Sequence, residues 1–244
     1  EIYDALEGDV LPQLRKATII IRSYQPKRTD EEIATLSTTT PEELDVKELL
    51  FSATLTSDEI TQTTIYNKAV ELHNDWRGYN NIACMYLAKG NFSEAITYLE
   101  KAEELGGGTS DVLTNKGIIA ARKGQLSKAQ KLFNDANTTE NNQAVLDVRQ
   151  GEYTKAARFY KNRKTFNATL AQLLNGKNSA KCNENTAACN YLNAIANARS
   201  GNNDAAISSL TNAINTDVSY KSEAFKDLEF VNLRTNETFI AITK

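Results

Sequence analysis

Few residues in this 244-residue chain have the types and spacing that chemistry needs. His73 is the single histidine, which excludes any site built on two imidazoles. It falls near the end of a predicted helix, where a cation favours the negative end of the helix dipole, a plainer role than proton transfer. Gly106-Gly107-Gly108 has the small residues of a phosphate loop, but no Lys-Ser/Thr pair follows and no strand precedes it. It reads as a turn between helices. Glu31-Glu32, Glu42-Glu43 and Glu103-Glu104 are adjacent in sequence, so they do not share a helical face as a catalytic carboxylate pair would. Cys84 lies in an apolar helical stretch and is expected as a small buried thiol. Cys182 and Cys189 flank the polar run Asn183-Glu184-Asn185-Thr186, and two readings stand for them. They form a disulfide, which closing so short a loop would make worth roughly 2–3 kcal/mol, or they are independent thiols. Their spacing does not match a paired-cysteine metal motif and His73 is remote, so neither a metal nor a cofactor is expected. With no catalytic constellation, the chain reads as a non-enzyme.

The elements around these residues are helices. Only three prolines and eleven glycines occur, with 41% hydrophobic and 24% charged residues, a balance that suits long helices and a packed core. The net charge of −3 argues against a nucleic-acid partner, which requires a basic face. No apolar run approaches the ~20 residues that cross a bilayer, so no direct membrane insertion is expected. The chain starts with Glu1, as a processed protein or an excised fragment would.

A glycine turn recurs: Gly90-Asn91-Phe92-Ser93-Glu94-Ala95, Gly124-Gln125-Leu126-Ser127-Lys128-Ala129 and Gly151-Glu152-Tyr153-Thr154-Lys155-Ala156. Weaker copies start at Gly176 and Gly201. Such a period predicts stacked helix pairs. In one unit, Tyr79, Ile82, Ala83, Tyr86 and Leu87 form an apolar stripe, Gly90 ends the helix and Ser93 is expected to cap the next. Later units are shorter, with helices expected at 141–149, 153–160, 166–175 and 187–200. Residues 222–244, with Ala224, Phe225, Leu228, Phe230, Phe239 and Ile242, read as a closing helix pair. Residues 1–40 read as an N-terminal extension: a plausible strand at 17–24, then a linker and a helix start over 26–41. Residues 41–244 form the helical repeat domain.

The run Tyr79, Ile82, Ala83, Tyr86, Gly90, Phe92, Ala95, Leu99, Ala102 resembles a tetratricopeptide repeat throughout its length. The next unit matches at Leu113, Gly117, Ala120, Gly124, Leu126, Ala129, Phe133 and Ala136, and departs at Lys116, where the family has a large apolar residue. A degenerate unit carries Val46, Leu49, Leu50, Ala53, Tyr66 and Ala69. The resemblance, over roughly 42–215, implies an all-α fold: a superhelix (solenoid) of antiparallel helix pairs, here with a short extended segment at the N-terminus. It implies a protein or peptide partner of unknown identity, held on the concave face by candidates Lys47, Arg77, Asn80, Asn81, Asp111, Asn115 and Arg122. An acidic Asp111 argues against a clamp for a C-terminal carboxylate. The N-terminal stretch and the spacing also resemble bacterial envelope proteins carrying outer-membrane protein A-type modules. That likeness implies a periplasmic or cell-surface setting, with the cytoplasm as the alternative, and is consistent with a Cys182–Cys189 disulfide. A spacer that positions neighbouring domains is the other functional expectation.

Overall fold

A computed structural model describes residues 27–244, so the strand expected at 17–24 lies outside the described residues. Among the described residues every regular element is helical. The described residues divide into two compact units, the first ending at Ile65 and the second running from Tyr66 to Lys244.

In the first unit, α1 (Asp30–Thr39), a 3-10 turn (Pro41–Glu43), α2 (Val46–Ser52) and a second 3-10 turn (Ala53–Leu55) precede the start of α3 (Glu59–His73). The stretch expected to be linker is therefore largely helix. Thr29 and Glu32 form a reciprocal capping box that satisfies the first amides of α1. Asp45 and Glu48 do the same for α2, and Glu48 also pairs with Arg28 at 2.7 Å. Leu44, Leu49 and Ala53 supply the buried apolar surface.

The second unit is built from helix pairs. These are α4 (Trp76–Ala88) with α5 (Phe92–Gly106), α6 (Ser110–Arg122) with α7 (Leu126–Asp135), and α8 (Glu140–Gln150) with α9 (Tyr153–Phe159). Next come α10 (Phe166–Leu174), then α11 (Ala187–Arg199) with α12 (Asn203–Thr216). Alanines make the helix crossings close: Ala83, Ala95 and Ala102 are wholly buried around Leu99 and Val112. The turn at Gly90 shows why glycine recurs. Its φ of 76° is a left-handed conformation, and it lets Asn91 N–H reach the Tyr86 carbonyl at 2.9 Å, closing the helix end. The same bond runs from Gln125 to Ala120 and from Glu152 to Asp147.

Two local expectations are corrected, those for Ser93 and Cys84, and Gly176 departs from the other turns. Ser93 does not cap α5; the helix begins at Phe92 with Asn91 as its N-cap and no side-chain bond. Gly176 ends α10, but no second helix follows it, because 177–186 has only Ala180 and Cys182 to bury and stays irregular. Cys84 is exposed, because it sits one step round the helix from the buried Ala83.

The C-terminal elements are α13 (Ser219–Lys226), a 3-10 segment (Leu228–Leu233) and α14 (Glu237–Thr243). Ala224, Phe230 and Phe239 pack with Ala194, Ala206 and Leu210, whereas Phe225 and Leu228 face solvent.

Candidate peptide-binding groove

The first helices of three successive units, α6, α8 and α10, wall a hollow of about 490 Å³. Its apolar surface comes from Ile118 and Ala121 on α6, Val145 and Val148 on α8, and Phe166 and Leu170 on α10. Each set recurs at helical three- or four-residue steps, so each helix presents one stripe to the hollow. Phe133 of α7 closes the floor and is itself almost wholly buried. Polar groups are few and of two kinds: the amides of Asn141, Asn142 and Asn167, and the guanidinium groups of Arg122 and Arg149. The lining includes no acidic residue. Asn141 Oδ1 accepts from the Tyr160 hydroxyl at 2.9 Å, and Asn142 Nδ2 donates to Thr138 Oγ1 at 3.1 Å. Tyr160 is fully buried, and that burial pushes its phenol above the ordinary range.

The residues expected to face a ligand fall into different surroundings. Lys47 is exposed on α2, in the first unit. Arg77 forks onto Asp75, with Nε 2.8 Å from Oδ1 and Nη2 2.7 Å from Oδ2. Those charge-assisted bonds hold the Asp75 carboxyl below its usual range. Asn80 is buried, and its Oδ1 accepts from Asn115 Nδ2 at 2.9 Å. The same Nδ2 lies 3.3 Å from Cys84 Sγ. Asn80 and Asn115 therefore join α4 to α6. Asn81 is half-buried on α4, and Asp111 is exposed in the first turn of α6, where its charge suits the helix N-terminus. Arg122 alone of the seven lines the hollow.

Sequence reasoning passed over Arg149, Asn141, Asn142, Asn167 and the apolar wall that α8 and α10 supply. One signal was available: Arg122 and Arg149 each stand two residues before a turn glycine, Gly124 and Gly151. That shared register places them at equivalent points on consecutive first helices.

Cys182 and Cys189 are joined as a disulfide, with their Cα atoms 5.4 Å apart. It ties the irregular segment before α11 to that helix's first turn. Glu184, between them, also accepts the Phe166 amide at 3.1 Å, at the start of α10. The Asn193 side chain further clamps Cys182 by its backbone N–H and carbonyl, at 2.9 and 3.0 Å.

Antiparallel helix pairs joined by left-handed glycine turns, with a hollow between their first helices, define an α-helical repeat protein. Residues 77–105, which span α4 and α5, match the family model of the tetratricopeptide repeat. No curated protein sequence matches the chain. Among the described residues no helix is long and apolar enough to cross a membrane.

Proposed function

We propose that the chain is a non-enzymatic scaffold that holds a protein or peptide partner in the groove of α6, α8 and α10. One observation carries this reading. Three first helices turn apolar stripes toward a shared hollow of about 490 Å³, ringed by the amides of Asn141, Asn142 and Asn167 and the guanidinium groups of Arg122 and Arg149. Concave, mostly apolar hollows with a few convergent polar groups are what ligands occupy. The setting we propose is the periplasmic or cell-surface side of a bacterial envelope. The likeness to envelope proteins with outer-membrane protein A-type modules supports it, as does the disulfide, since such bonds persist in oxidising compartments. A repeat domain over 41–244 belongs to the same reading.

A second reading, a spacer between neighbouring domains, is favoured by Arg77, Asn80 and Asn115. Their polar groups are spent on Asp75 and on one another, not held open to a ligand. A displayed random-peptide library separates the two. The scaffold reading expects peptides that bind the wild-type chain and Lys128→Trp, altered on α7, but not Val145→Trp, whose indole fills the hollow. Circular dichroism would confirm that both variants remain helical. Absence of enriched peptides, or equal capture by both variants, would favour the spacer.

A further inference from the structure

Three first helices end alike: Arg122, Arg149 and Arg199 each stand two residues before a turn glycine, at 124, 151 and 201. A cation there suits the negative end of the helix, so position alone says nothing of a ligand. The three differ in what they hold. Arg199 donates from Nη1 to the Leu173 carbonyl at 2.9 Å, and forks from Nε and Nη2 onto the carboxylate of Glu229, with Nε 2.8 Å from Oε2. Arg122 and Arg149 have no carboxylate partner among the described residues. Both border the one hollow walled by α6, α8 and α10, and no acidic side chain lines it.

A guanidinium beside apolar surface gains most from a planar anion that accepts two parallel bonds, as the pair inside this chain demonstrates. We propose that the groove takes an acidic, apolar peptide segment of a partner protein, with Asp or Glu side-chain carboxylates received by Arg122 and Arg149. The segment's aliphatic or aromatic side chains lie on Val145, Phe166 and Leu170. Asn141, whose Oδ1 is held by Tyr160, keeps its Nδ2 to donate to the segment's backbone. This proposal rests on the scaffold reading and adds to it the chemistry of the partner.

The test uses fluorescence anisotropy of the full chain with labelled heptapeptides of serine, leucine and glutamate. Companion peptides carry glutamine or lysine in place of glutamate, and polyglutamate without leucine is the control. The acidic peptide is expected to bind at least tenfold more tightly than its glutamine companion. Arg122→Gln and Arg149→Gln should each weaken it roughly tenfold while leaving the glutamine peptide nearly unchanged. Equal binding of the glutamate and glutamine peptides, or arginine variants without effect, would overturn acid recognition and leave the scaffold reading standing. Polyglutamate binding as tightly as the leucine-containing peptide would also overturn the proposal, by removing the apolar half of the recognition. Failure of every peptide to bind would sink both readings.

Discussion

Asn115 on α6 donates to Asn80 on α4 across 2.9 Å, so two successive repeat units are joined by one amide–amide bond whose acceptor is buried. The bond links first helix to first helix, and it stabilises the stack at a point where apolar packing alone would fix no register.

Replacing Asn115 with Ala leaves Asn80 Oδ1 without its donor, so the loss should approach the penalty for a buried unsatisfied group, about 1–3 kcal/mol. Asn80→Ala in the same background should add little, because the orphaned acceptor then disappears. Urea unfolding of the two single variants and the double variant measures this directly. Strictly additive losses would show that the bond is not the shared cause.

Gly117 poses a different constraint. A Cβ at this position would lie 2.5 Å from two ring carbons of Phe133, on the partner helix α7. Gly117→Ala gains up to about 1 kcal/mol of helix propensity but forces the buried Phe133 ring to shift, an overpacking cost of about 1–3 kcal/mol. A net fall in the urea midpoint with an unchanged slope is expected. A gain in stability would mean that α7 yields without cost.

Acid should weaken the fold through two carboxylates. The Arg77 bonds hold Asp75, and the Arg199 bonds hold Glu229, below the usual carboxylate range. Depressed folded values mean that both contributions are fully present above the unfolded values, near 4, and are lost as pH falls through the lower folded ones. Both pairs are partly solvated, so each is worth at most about 1 kcal/mol. Unfolding free energy measured from pH 6 to pH 2 should fall less steeply in Asp75→Asn and Glu229→Gln than in wild type, and an unchanged slope would contradict the assignment.

Reduction of Cys182–Cys189, or a Cys182→Ser/Cys189→Ser double variant, should lower stability by about 2–3 kcal/mol, the chain-entropy value for so short a loop. Thermal unfolding with and without a thiol reductant checks it. The serine variant should be insensitive to reductant, and equal sensitivity would place the effect elsewhere.

The repeat architecture was legible because its signals are local and redundant. A left-handed turn needs glycine, the residues before it carry an apolar stripe, and helices expected at 141–149, 153–160 and 187–200 lie within a residue of those observed. The capping box of Thr29 and Glu32 was equally local, but α1 has a thin apolar face, with Ile33 its one buried aliphatic residue, and so resembled a linker. Gly176 turns like its counterparts, with φ 85°, yet no stripe follows to build a second helix, in keeping with the gap between the helices expected at 166–175 and 187–200. The groove was the least legible part. Val145, Arg149, Phe166 and Asn167 converge only once α6, α8 and α10 stack, and no single segment encodes that convergence.

The absence of a second helix after α10 bears on how the molecule comes apart. In a stack of pairs, stability passes from neighbour to neighbour, and each second helix contributes to the coupling. Between α10 and α11 that role falls to Ala180, to Cys182 and to the Arg199 contact with Leu173, beside the packing of Leu173 with Leu192 and Ala196. The seam is a place where cooperativity thins, so the C-terminal helices from α11 onward form a candidate foldon with its own opening free energy. Native-state hydrogen exchange would then report two protection plateaux across the second unit, stepping at residues 175–186. A single plateau would mean that the disulfide and Arg199 restore the coupling the missing helix would have supplied.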